Sequence, residues 1–199
     1  GKGVPELIQP VAKKTKAATS MGLVAQSYFI LHKLTKKKEY LSKGEKVLDW
    51  LIANQSIGHS GACWGLPFDW QLAKGVLVKK GTPCSTIMTY VIDAFLQGYR
   101  STKKEIYRDI VISSGNFLVN DLNYDKITEN VTCASYTPID MFHIINSNSF
   151  VAAALYRIYV VTKNEELRRI ADELINYVLT EQNEDGSWYY WGSQERFHK

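Results

Sequence analysis

Leu34-Thr35-Lys36-Lys37-Lys38-Glu39-Tyr40, Ser101-Thr102-Lys103-Lys104-Glu105-Ile106 and Val161-Thr162-Lys163-Asn164-Glu165-Glu166-Leu167 are one phrase written three times. Thr35, Thr102 and Thr162 stand 67 and 60 residues apart. Downstream, the closing aromatics Trp50, Phe117 and Tyr177 keep the same two offsets without a gap. Self-similarity at a fixed period marks a repeat architecture, in which each unit buries its apolar face against its neighbours.

Outward from the phrase, each unit reads as two helices. The segment before it is nearly apolar all round: Gly22 to Leu34, Ser85 to Tyr99, and Asn148 to Val161. Such a helix is expected to be buried. The segment after it is two-faced. In Glu166 to Thr180, Leu167, Ile170, Leu174, Tyr177 and Val178 fall on one stripe, with Arg168, Arg169, Asp172 and Glu173 expected to face water. A turn as short as Thr162-Lys163-Asn164 makes the two helices antiparallel. The basic run Lys36 to Lys38 is then a solvated turn. One further outer helix is expected over Pro10 to Ala18. Between hairpins lie Ser56 to Pro83 and Asn123 to Ser147, rich in Gly, Pro, Trp and Tyr, which read as loops. Loops of that length in a compact domain are commonly functional, and here they are expected to gather at one end of the helices.

Composition narrows the function. The chain has 199 residues, 45% hydrophobic and 22% charged, with a net charge of only +4. That is the balance of one globular domain spanning 1–199, without the one-sided basic surface of a nucleic-acid binder. No apolar run reaches the length of a membrane span, and Gly1-Lys2-Gly3-Val4-Pro5 does not open a signal peptide. Cys63, Cys84 and Cys133 are far apart and odd in number, so reduced, buried thiols in a cytoplasmic protein are expected. No Cys/His spacing suggests a metal, and no phosphate loop, nucleophile elbow or aspartate-rich cluster is present, so no metal and no cofactor are expected.

Buried inner helix, short turn, amphipathic outer helix and a period near 60 resemble the six-hairpin α/α toroids. These include glycoside hydrolases, unsaturated-glucuronyl hydrolases, uronyl epimerases and terpene cyclases. Gln182-Asn183-Glu184-Asp185-Gly186-Ser187-Trp188 looks like the Q-x-x-D-G-S-W element of such folds, with Gly186 supplying a positive φ and Trp188 packing back over the helix ends. Trp64-Gly65-Leu66-Pro67-Phe68-Asp69-Trp70, Lys80-Gly81-Thr82-Pro83, Tyr136-Thr137-Pro138-Ile139-Asp140 and Asn146-Ser147-Asn148 resemble toroid proteins associated with polysaccharide biosynthesis. The resemblance implies an all-α fold, an incomplete α/α toroid of about three hairpins, acting on or binding an oligo- or polysaccharide. A closed toroid has six hairpins. The chain therefore reads as part of a longer toroid, or as an open arc that completes itself by association.

Carbohydrate sites combine flat rings, on which sugar C–H faces stack, with carboxylates and amides that take the hydroxyls. Trp64, Phe68 and Trp70 are candidate platforms, as is Trp188. Asn146, Asn148 and Asp185 are candidate polar contacts, one of the two asparagines doubling as an N-cap. Asp69 and Asp140 precede the second and third inner helices and are the carboxylates that a glycosidic reaction would use, unless each is a turn residue. His143 could serve as acid or base or be a hydrogen-bonded structural histidine, and Tyr136 could donate a proton or simply pack. Three functions follow: a hydrolase, lyase or epimerase of a polysaccharide pathway; a non-catalytic glycan-binding or scaffold protein; and, third, a prenyl-binding or cyclase-like protein, against which the missing aspartate cluster counts.

Overall fold

The threefold phrase becomes three identical turns. The structure, a computed structural model, describes residues 15–193. Lys36, Lys103 and Lys163 each occupy the left-handed region, at φ of 60°, 61° and 59°. That conformation costs a non-glycine residue roughly 1 kcal/mol, and the preceding threonine offsets it. The Oγ1 of Thr35, Thr102 and Thr162 donates to the carbonyl four residues back and accepts the N–H two residues on. Each helix end is thereby closed without glycine.

On either side of these turns stand α1 (Ala18–Thr35) and α2 (Lys38–Ala53), α3 (Ser85–Thr102) and α4 (Glu105–Asn120), and α5 (Ile145–Thr162) and α6 (Glu165–Thr180). α3 packs against both α1 and α5, forming an inner row, and α2, α4 and α6 form the outer row. α2 also reaches α3, and α4 reaches α5, so each of these two outer helices bridges its own inner helix and the next. The core lies between the rows and includes Leu48, Phe95, Phe117 and Leu155. Glycines set the spacing of the rows. A Cβ added at Gly98 of α3 would collide with Leu48 of α2, whereas one at Gly115 of α4 would rest 3.5 Å from Ile158 of α5. The two sites are the same place in successive repeats, and each pairs one small residue with one large.

Two expectations need correction here. α1 is not buried all round: Ala18, Gly22, Ala25 and Phe29 face the core, while Leu23, Val24, Ile30, Leu31 and Leu34 are exposed. It is the first helix of the arc among the described residues, and no outer helix covers its far side there. Glu173 does not face water but is buried, accepting from Thr132 Oγ1 at 2.6 Å and pairing with Arg169. The expected helix over 10–18 falls mostly on residues outside those described.

The inter-hairpin segments are not plain loops. Trp70–Gln71 pairs antiparallel with Leu77–Val78 (β1, β2), and Tyr124–Thr128 pairs with Val131–Ala134 (β3, β4). All three segments begin alike. The third residue after the outer helix is pinned to a later one by Ser56 N–H to Cys63 O, Ser135 N–H to Asn123 O, and Asn183 N–H to Ser187 O. An aromatic side chain then donates to the outer helix at the matching repeat position: Trp64 Nε1 to Leu51 O, Tyr124 Oη to Leu118 O, and Trp188 Nε1 to Val178 O. Among the described residues no helix is long and apolar enough to cross a membrane.

Candidate functional site

Each inter-hairpin segment leaves the C-terminal end of an outer helix and enters the N-terminal end of an inner one, so the segments meet at one mouth. Ser85 N–H, opening α3, donates to Tyr136 O at 2.9 Å, and Ile145 N–H, opening α5, donates to Tyr190 O at 3.2 Å. Tyr136 and Tyr190 thus occupy the same place in successive repeats. Beside each stands the second residue of the inner helix. Thr86 Oγ1 donates to Tyr136 Oη at 3.0 Å, and Asn146 lines a cavity of about 470 Å³ together with Tyr190, Tyr189, Trp188 and Ser149. That cavity holds no charged side chain.

The tyrosines sit in two short runs of rings. Trp70 meets Tyr136 edge-on at 5.9 Å, Tyr190 meets Trp191 at 5.2 Å, and Trp191 meets Phe142 at 5.8 Å. Leu72, Val78, Phe142 and Ile144 form a small second core beneath them. Burial raises the Tyr136 phenol above its ordinary pKa, with the Thr86 hydrogen bond opposing, and burial raises Tyr190 as well. Both hydroxyls stay protonated at neutral pH and can donate or accept. Phe68 is half-exposed at the rim.

The expected site residues separate into those at the mouth and those used by the scaffold. Trp64 is corrected outright. It is 1% exposed, stacks on Phe95 at 6.0 Å and belongs to the core, so it offers no platform. Asn148 is likewise fully buried and is not a cap, because α5 begins three residues earlier. Its Oδ1 accepts from Ala134 N–H at 2.7 Å and its Nδ2 donates to Ile144 O at 2.9 Å, clamping β4 to α5. Asp140 is buried with both oxygens occupied: it accepts from the N–H groups of Tyr136, Thr137 and Phe142 and from Thr137 Oγ1 at 2.6 Å. It holds the turn that presents Tyr136. Asp69 is exposed, accepts from Lys80 N–H at 2.7 Å and pairs with Lys79 at 3.0 Å. The Lys80 backbone bond, then Lys79, hold it below the usual carboxylate range, the wrong direction for a general acid. Asp185 closes its own turn on Ser187, which lowers it too, and Gly186 has the expected positive φ of 84°.

His143 is buried, with Nε2 3.0 Å from Asp125 and its ring edge-on to Tyr177 at 5.9 Å. Asp125, half-exposed on β3, escaped the reading of the sequence, as did Thr86. Asp125 lies in a stretch taken for loop. Thr86 was findable only as the repeat counterpart of Asn146. All three cysteines are free and buried, and burial pushes each thiol up to about 12. Among the described residues no group of three His, Cys, Asp or Glu side chains could hold a metal ion.

No family model matches the chain, and no curated protein matches it. Among solved structures, a GH76 α-mannanase of Bacteroides thetaiotaomicron superposes with a TM-score of 0.62 at 17% identity. The match covers 89% of this chain and 45% of the mannanase chain, so this chain spans less than half of that protein's length. At that identity the likeness shows the fold, which is that of an α/α toroid.

Proposed function

We propose that this chain is a carbohydrate-directed part of an α/α toroid that holds a saccharide at the mouth formed by its inter-hairpin segments, in the synthesis or modification of a polysaccharide. The observation that carries this reading is the repeated pairing at the N-terminal ends of the inner helices: Thr86 with Tyr136, and Asn146 with Tyr190. Successive repeats place a ring and a neutral hydrogen-bonding group side by side, which is the chemistry that successive sugar residues present. The absence of charge from the cavity favours a neutral sugar over a uronate. The toroid relative is an α-mannanase, which makes a linear α-mannooligosaccharide the first ligand to test. Phe68 and Trp70 extend the ring surface toward the rim.

Isothermal titration with that oligosaccharide tests the reading. Binding is expected, and Tyr190→Ala and Asn146→Ala are each expected to weaken it by about tenfold, the loss of one ring or one hydrogen bond of roughly 1.4 kcal/mol. Full-strength binding by both variants would remove the site.

A second reading, catalysis, is favoured by one feature. Asp125 holds the His143 imidazole in a fixed orientation, an arrangement suited to a general base. Asp69 and Asp140 already serve as acceptors for their own loops, so in this reading His143 moves the proton and Tyr136 assists. Turnover of a bound oligosaccharide that is abolished in His143→Gln, with binding retained, would support it; turnover unchanged in that variant would exclude it.

A further inference from the structure

The three hairpin turns share one phrase, yet only the second and third give their lysine a partner of its own. In the second, Lys103 Nζ lies 5.7 Å over the Tyr99 ring, and the Tyr99 hydroxyl donates to Glu105. In the third, Lys163 Nζ lies 5.7 Å over Tyr159, whose hydroxyl donates to Glu165. The first turn changes both partners: His32 stands at the place of the tyrosine and Lys38 at the place of the glutamate. The His32 ring is tied to Lys37 O at 3.0 Å. Lys36 instead lines a groove of about 550 Å³ between α1 and α3, together with Lys33 and Arg100. Lys33 and Arg100 hold the same place on successive inner helices. The groove lining includes no carboxylate, and none of its three cations makes an ion pair among the described residues.

Basic residues in a last helical turn answer the helix dipole, but that account predicts similar charge along the whole inner row. Between α3 and α5 the charge is missing. Val160 stands where Lys33 and Arg100 stand, the last turn of α5 has no basic residue, and Arg157 is paired with Asp93. We infer that the α1–α3 groove is a binding site for a phosphate monoester. Three unpaired cations exceed what the single charge of a carboxylate balances, whereas a phosphate monoester brings about −1.5 to −2 charges and three acceptor oxygens. The Arg100 guanidinium suits two of those oxygens at once, and the lysines act as point charges. Gln97 and Ser101 supply neutral hydrogen-bonding groups, and Ile30 an apolar wall, in a volume suited to a small organic group such as a hexose. The groove lies at the opposite end of the inner helices from the mouth and does not depend on the saccharide reading there.

Isothermal titration with glucose 1-phosphate, with glucose as the neutral control, tests the inference at a pH where the monoester is a dianion. Sedimentation with phosphatidylcholine vesicles containing phosphatidic acid tests the same group on a lipid. Lys36→Gln and Arg100→Gln are each expected to weaken binding about tenfold, the loss of one charge-assisted contact. Lys103→Gln removes a lysine already placed over its own ring and is expected to leave binding unchanged. His32→Tyr combined with Lys38→Glu writes the partners of the second turn into the first while keeping all three groove cations. It is expected to weaken binding about tenfold with the helical circular dichroism unchanged. This pattern with glucose 1-phosphate places the phosphate on a soluble ligand, and the same pattern with vesicles alone places it on a lipid headgroup. Equal binding of glucose, an equal loss in Lys103→Gln, full-strength binding by Lys36→Gln and Arg100→Gln, or no binding of either phosphate probe would overturn the inference.

Discussion

Trp64 and Trp188 make the same hydrogen bond to the matching carbonyl of the first and third outer helices, and among the described residues only Trp64 has a following inner helix to pack on. Truncating each to alanine therefore separates the shared bond from the packing. Trp64→Ala removes a fully buried indole from between Leu51 and Phe95, and such truncations cost about 3–5 kcal/mol. Trp188→Ala loses the same hydrogen bond but an indole already 44% exposed, so its cost should be about half as large, roughly 2 kcal/mol. At a urea dependence of roughly 2 kcal/mol/M, the unfolding midpoint should fall by about 2 M for Trp64→Ala and about 1 M for Trp188→Ala. Circular dichroism at 222 nm against urea reads both. Equal shifts for the two variants would refute the claim that they are one position differing only in its cover.

Gly98→Leu is expected to destabilise by about 1–3 kcal/mol through overlap with Leu48, and Leu48→Ala alone by about 2–5 kcal/mol. The double variant should cost clearly less than their sum in chemical denaturation; strict additivity would show that the residues do not meet. The buried thiols give a pH dependence. Cys63, Cys84 and Cys133 titrate near 12 when folded and near 9 when exposed, so the unfolded chain releases protons first as pH rises. Their contribution is fully present below pH 9 and lost between about 9 and 12, and stability measured by urea titration should decline across that window. A thiol reagent at pH 8 should label none of the three until denaturant is added, and rapid labelling of the native protein would contradict their burial.

The hairpins were legible because two independent signals agree. Thr-Lys recurs at the turn, and the apolar period changes from all-round to one-faced across it. The first helix was over-read because periodicity reports which residues are greasy, not whether a neighbour is there to cover them: Val24 and Leu31 of α1 are exposed where their counterparts Val91, Gly98, Val151 and Ile158 are buried. The same gap hid the difference between Trp64 and Trp188. Both are loop tryptophans in sequence, and only Phe95, some thirty residues after Trp64, decides which is core. β3 and β4 went unread because strands this short draw their stability from pairing and packing rather than from local preference. The Asp125–His143 pair is visible only once that hairpin has formed. The expectation that Asn146 or Asn148 caps α5 fails because the helix starts at Ile145, ahead of both and earlier than its apolar run suggests. Asp140 shows the limit of residue type as evidence: a carboxylate beside a proline in an aromatic loop is equally what a tight turn needs, and four donors within its own loop claim it.

Amide and side-chain chemical-shift mapping of a titrated α-mannooligosaccharide on the isotopically labelled chain is the most direct test of where, and whether, a saccharide is held. Perturbations should concentrate at Tyr136, Tyr190 and Asn146, at the N-terminal ends of α3 and α5. The groove at the opposite end of the inner helices, lined by Lys33, Lys36 and Arg100, should stay silent. Shifts confined to that basic groove, or none at millimolar saccharide, would contradict the assignment of the mouth.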